Sequence, residues 1–229
     1  MAGLAKIAVG LLFLIGAAAA VSWMGLLPTA LNPLGPLSLD KRDQWFVDAK
    51  LAALRYDPGL CQKVLDRRFV DAAPKPDRPL QEGCGWTNSL EFTQISGVKL
   101  PVYVLTCEAT AALALWIRHE VQPAAISAFG SPVAKIDHFG TYSCRNVAGR
   151  EWRSQHASAN AIDVSGFTLA DGRSISVLRQ WPGNSSESRF LRRVHDGACR
   201  YFRLTLGPDY NAAHADHFHL DRGLFWGCR

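Results

Sequence analysis

The chain contains no Cys-x-x-Cys pair, and none of its six cysteines stands beside its histidine-rich windows. This absence argues against a zinc site built from thiolates. There is no internal repeat and, past the first segment, no low-complexity tract, so a repeat architecture is not expected. The net charge of +5 is dispersed and accompanied by no nucleic-acid-binding motif. A solvated basic surface is therefore expected, not a nucleic-acid interface.

Charge is missing altogether from Ile7 to Leu27, and no Lys or Arg follows Lys6 until Lys41. A run of that length matches the ~20 residues that a helix needs to cross a bilayer. The positive charge before it keeps the amino terminus in the cytoplasm. Small residues at Ala17 to Ala20 also suit a signal peptidase, but the apolar run continues through Trp23 to Leu27. The expectation is an uncleaved anchor over residues 1–27, placing a single-pass protein in the inner membrane with its C-terminal domain in the periplasm.

What is present fits an exported domain. With 229 residues, 48% of them hydrophobic, the chain can bury the core of one ordinary domain. Cysteines at 61, 84, 107, 144, 199 and 228 read as three disulfides in such a compartment, although six cysteines allow 15 connectivities. Pro28, Pro33, Gly35 and Pro36 mark an extended linker over 28–42, and the folded domain is expected over 43–229.

Within that domain the patterns predict a helix over Asp43–Tyr56 and a second short one opened by Asp57-Pro-Gly. An irregular connector follows over 71–83, then a strand at Leu90–Ile95. Thr106 is expected to cap a buried helix from Cys107 to about Val121, with Pro123 beyond its end. Strands are predicted at Val133–Tyr142, Ala161–Leu169 and Ser174–Leu178, and a helix begins at a capping box formed by Asn184 and Glu187. Helices early and short strands late imply an α+β domain.

Four of the seven histidines fall in two windows, Ser154-Gln-His-Ala-Ser-Ala-Asn-Ala-Ile-Asp163 and His214-Ala-Asp-His-Phe-His219. Imidazole and carboxylate are ligands of zinc sites that keep one position open. The windows offer His156, Asp163 and one histidine of the second cluster. As a strand, the second window puts His217 and His219 on one face and Asp216 on the other. Nearby, Arg145 and Arg153 have the guanidinium fork suited to a peptide carboxylate.

The first window resembles the Ser-x-His-x-x-Gly-x-Ala-x-Asp motif of the D-Ala-D-Ala metallopeptidases. Their superfamily includes lysostaphin-type and murein endopeptidases and the hedgehog signalling domain. His214, His217 and His219 are similar to the His-x-x-His-x-His of penicillin-insensitive murein endopeptidases. From about residue 43 the chain more closely resembles the bacterial extensin-like C-terminal family. That likeness runs through Tyr-x-Cys-Arg at 142–145, the Ser154 window and Leu-Gly-Pro followed by His-x-x-His-Phe-His.

The resemblance implies a small antiparallel sheet packed against helices and a Zn2+ ion held by His156, Asp163 and His219. It implies a base three or two residues before the last zinc histidine, positions held here by Asp216 and His217. His217 is favoured because it shares the strand face of His219. His214 would stabilise an oxyanion or orient the base, while Ser154, Arg145 and Arg153 would serve the substrate. The chain departs from the motif at Ala159, where the family has Gly, a residue suited to positive φ. The expected activity is hydrolysis of peptidoglycan stem peptides by an anchored zinc peptidase. The competing expectation is a non-catalytic wall-binding or structural domain that keeps its zinc.

Overall fold

A computed structural model describes residues 2–28, 31–33, 35–65 and 68–229. Of the linker expected over 28–42, residues 29, 30 and 34 lie outside the described residues. Helix α1 (Ala2–Trp23) includes Ala5–Trp23, 19 residues of mean hydropathy 2.0, long and apolar enough to cross a membrane. The later part of the linker packs on the domain. Leu37 and Leu39 are buried, the Leu39 carbonyl accepts from His119 Nε2 at 2.9 Å, and Arg42 Nε meets Glu120 Oε1 at 3.0 Å.

Helix α2 (Val47–Ala53) starts later than the helix predicted from Asp43, because Phe46 sits at φ 56 in the left-handed region and cannot continue a helical turn. Helix α3 (Pro58–Val64) is capped by Asp57, whose carboxylate accepts from Leu60 N at 2.8 Å, with Pro58 at its first position.

The sheet is larger than predicted and is mixed, not purely antiparallel. Its strands are β1 (Val70–Lys75), β4 (Ser89–Ile95), β5 (Val98–Thr106), β6 (Val133–His138), β7 (Ala161–Leu169), β8 (Ser174–Ser176), β9 (Leu204–Leu206), β10 (Phe218–Asp221) and β11 (Gly227–Cys228). They form one nine-stranded sheet in the order β1-β4-β5-β6-β7-β10-β9-β11, with β8 beside β7. The β5–β6 and β9–β11 pairs are parallel. A separate ribbon joins β2 (Arg78–Gln81) to β3 (Cys84–Trp86).

The connector predicted as irregular over 71–83 thus holds most of β1 and all of β2. Pro74 is tolerated in β1 because that strand lies at the sheet edge, where a missing N–H breaks no ladder.

Helix α4 (Cys107–Trp116) is buried along its whole length. Thr106 caps it as expected, its Oγ1 accepting from Ala109 N at 3.3 Å. The helical path does not stop before Pro123. It widens into a π-turn over Ile117–Val121, where Gln122 N donates to Ile117 O, and resumes as α5 (Gln122–Phe129) until Gly130 at φ 66. The wider turn carries the chain past a proline with no N–H to donate.

The strand expected over Ser174–Leu178 ends at Ser176, and α6 (Val177–Gln180) follows. Helix α7 (Ser186–Ala198) is capped by Ser185, one residue beyond the expected Asn184, with Ser188 N donating to its Oγ at 3.1 Å.

All six cysteines pair: Cys61 with Cys107, Cys84 with Cys144, and Cys199 with Cys228. The first joins α3 to the start of α4, the second joins β3 to the segment before Arg145, and the third joins the end of α7 to the C-terminal strand.

Candidate metal centre

Strands β7 and β10 run antiparallel with Asp163 directly opposite His219. Residues paired in this way project to the same face. His156 reaches that face from a 3-10 turn, Gln155–Ser158, where Ser154 Oγ accepts from His156 N at 3.3 Å. The turn closes at Ala159, with φ 52 and ψ 33. The position where the resembling motif carries Gly is therefore left-handed here, and Ala occupies it with its methyl buried beside Trp86 and Val104. The next residue ties the turn to α4, because Thr106 Oγ1 donates to Asn160 Oδ1 at 2.7 Å.

Three ligand-type atoms converge. Asp163 Oδ1 lies 3.1 Å from His156 Nε2 and 3.0 Å from His219 Nδ1, and the two nitrogens are 3.2 Å apart. The outer nitrogen of each ring has its own acceptor. His219 Nε2 donates to Asp221 Oδ2 at 2.9 Å, and His156 Nδ1 faces the Thr141 carbonyl at 3.3 Å. Outer partners of this kind fix the tautomer of a metal-binding imidazole and raise its basicity. Two imidazoles and a carboxylate, with no thiolate, form a donor set that fits zinc with a further position left for water.

Without a metal, this grouping is an ion pair. Burial pushes the Asp163 carboxyl up, but hydrogen bonds and charge from His156 and His219 outweigh it and hold it well below the usual carboxylate range. Burial lowers His219, yet Asp163 and Asp221 overcome it and raise the imidazole to about 9.

His217 immediately precedes β10, so it is not in the strand as the alternation predicts. It still reaches the cluster, with Nε2 3.6 Å from Asp163 Oδ1. Asp216 Oδ1 accepts from His217 Nδ1 at 2.8 Å, which leaves the Nε2 lone pair facing the cluster. The two candidate bases are thereby coupled.

His214 Nδ1 donates to Asn211 Oδ1 at 2.8 Å, and its ring centroid is 5.2 Å from that of His217. Burial and the charges of His219 and His217 lower its pKa to about 4. Arg145 approaches the site, Nη2 lying 4.0 Å from Asp163 Oδ2. Arg153 turns away and braces loops through the Glu82 carbonyl at 2.8 Å and Asn146 Oδ1 at 2.9 Å.

The sequence reading missed Asp221, although its two-residue step from His219 along a strand would have placed it on the same face. It also missed a buried network behind β10. Arg222 Nε donates to Glu108 Oε1 at 2.9 Å and Arg55 Nε to Glu108 Oε2 at 2.8 Å, while Arg222 also pairs with Asp48. A second grouping, His195, Asp196 and Cys228, includes a disulfide-bonded cysteine and so offers no thiolate. His119 and His138 bind backbone carbonyls, and His195 packs between Trp181 and Phe218.

The family model described as extensin-like protein C-terminus matches residues 59–229. No curated protein and no solved structure matches the chain.

Proposed function

The chain belongs to the extensin-like C-terminal family, and from that premise we propose a membrane-anchored, zinc-dependent peptidase acting on peptidoglycan peptides on the periplasmic side. The convergence of His156 Nε2, Asp163 Oδ1 and His219 Nδ1, each within 4.8 Å of the others, carries this reading. These three atoms would hold the ion. When bound, zinc supplies Lewis acidity that polarises a carbonyl and acidifies water.

The other residues divide the remaining work. His217 Nε2 accepts a proton beside the cluster, and Asp216 holds its Nδ1–H and stabilises the cation that forms. His214, neutral and with its proton on Nδ1, presents Nε2 as an acceptor suited to a substrate N–H; it has no proton on that nitrogen to offer an oxyanion. Arg145 is the guanidinium nearest the cluster and suits a peptide carboxylate. Ser154 acts on the fold of the turn, by capping it. Helix α1 would anchor the domain.

The test is incubation of the zinc-loaded chain with muropeptides, read by mass spectrometry beside a zinc assay. His219→Ala is expected to lose both zinc and turnover. His217→Ala is expected to keep zinc and lose turnover by about 10²- to 10⁴-fold. Equal product from wild type and both variants rejects the hydrolase.

A further inference from the structure

Gly223 ends the turn after β10, and the next three side chains face solvent. Leu224, Phe225 and Trp226 are 76%, 64% and 65% exposed. A consecutive run of large exposed apolar side chains at a loop tip is costly in water and marks a contact surface.

This run has neighbours of the same kind. Arg203 lies 5.2 Å over the Trp226 ring and pairs with Asp48 at 2.9 Å. Asp48 is in the first turn of α2, whose N-cap is Phe46, preceded by Trp45; both aromatics are exposed. On another side, Arg55 Nη2 donates to the Arg222 carbonyl at 2.7 Å and lies 5.9 Å over the exposed Tyr56. Beneath the aromatics, three arginines (Arg55, Arg203 and Arg222) meet two carboxylates (Asp48 and Glu108), leaving the network one positive charge in excess.

We propose that Leu224, Phe225 and Trp226, with Trp45, Phe46 and Tyr56, form a face that rests in the interfacial layer of an anionic bilayer, the one α1 enters. Tryptophan and tyrosine favour that layer because one part of the ring is apolar and another is polar, and a cationic base favours anionic headgroups. Leu31, in the segment arriving from α1, lines a groove with Trp45 and Val47, so the tether reaches the domain beside the face. The inference rests on reading α1 as an anchor and is independent of any hydrolysis.

The experiment uses the full chain in nanodiscs of phosphatidylcholine and phosphatidylglycerol, with and without bromine on the acyl chains. Bromine quenches tryptophans that sit in the bilayer. Trp226→Phe is expected to lower the quenched emission relative to wild type. Leu224→Glu with Phe225→Glu, at exposed positions that leave the core intact, is expected to lower it at least as far, because Trp45 leaves the bilayer with Trp226, while the chain stays in the disc. Equal quenching in wild type and both variants overturns the proposal. Loss of retention on peptide-free glycan strands in the double variant, with Trp226 unquenched, would assign the face to the wall polymer and also overturn it. So would shielding of Trp226 only in discs carrying two chains. Release of the chain by alkaline carbonate would sink the anchor reading, while the quenching recorded before the wash still decides the face.

Discussion

Asp221 Oδ2 accepts from His219 Nε2 at 2.9 Å, while Asp221 Oδ1 accepts from Gly223 N at 2.7 Å. One buried carboxylate thus orients a candidate ligand and closes the turn at the end of its strand.

Asp221→Asn keeps an acceptor for the turn but removes the charge behind His219. Zinc affinity is expected to fall by about 10- to 100-fold with the fold retained. Competition titration against a chromogenic chelator, with far-ultraviolet circular dichroism as control, checks it. Unchanged affinity would mean that the carboxylate serves the turn alone.

Ala159 tests what a methyl group does in a left-handed site. Ala159→Gly removes a strain of about 1–2 kcal/mol. It also loses about 0.8 kcal/mol of methyl burial and frees the unfolded chain by about 0.4–1 kcal/mol. The opposing effects nearly cancel, so stability is expected to stay within about 1 kcal/mol of wild type. Ala159→Val adds a β-branched side chain at positive φ and a buried clash, and is expected to cost more than about 2 kcal/mol. Urea unfolding of both variants measures the difference.

Glu108 is fully buried between Arg55 and Arg222. Removing it leaves the buried Arg222 with Asp48 as its remaining carboxylate partner, so Glu108→Ala is expected to cost about 3 kcal/mol, the low end for breaking a buried ion pair. Urea unfolding reads that loss. Because Arg222 follows Asp221 directly, the same variant is expected to weaken zinc binding, whereas a network confined to stability would leave it untouched.

His119 gives a dependence on pH. Burial lowers its pKa, and the Arg118 charge adds to this, while its bond to Leu39 O opposes. The folded value is below the unfolded one, so the unfolded chain takes up the proton first on acidification. The stabilisation from neutral His119 is present above about pH 6.5 and is lost as pH falls below it, by at most about 1.4 kcal/mol per pH unit. His119→Gln keeps a donor for Leu39 and is expected to flatten the difference between unfolding at pH 7 and pH 5.

Local chemistry was legible in the sequence where one residue decides the outcome. Thr106 caps α4, Asp57-Pro-Gly opens α3, and the two histidine windows meet on one face of the sheet. Elements whose signals conflict locally were not legible. Pro123 reads as a stop, yet a π-turn carries the helix past it, and Pro74 and Pro79 conceal the edge strands β1 and β2. The alternation of buried and exposed residues along β5 is a local signal of a strand. The network of Glu108, Arg55 and Arg222 joins residues up to 167 positions apart, and nothing near them in sequence announces a partner. Asp221, by contrast, stands two residues from His219, and its face follows from strand alternation. Asp216 points away from His219 only if the strand already runs through residue 216, and β10 begins two residues later, at Phe218. The turn before β10 instead lays its carboxylate against His217.

The bond between Cys84 and Cys144 spans 60 residues and sits immediately before Arg145, whose carbonyl accepts from Ser154 N at the entry to the His156 turn. With that pair reduced, the β2–β3 ribbon loses its covalent tie to the segment that enters the His156 turn. The geometry of the candidate centre is thereby made to depend on the oxidation of a thiol pair that contributes no ligand atom to it.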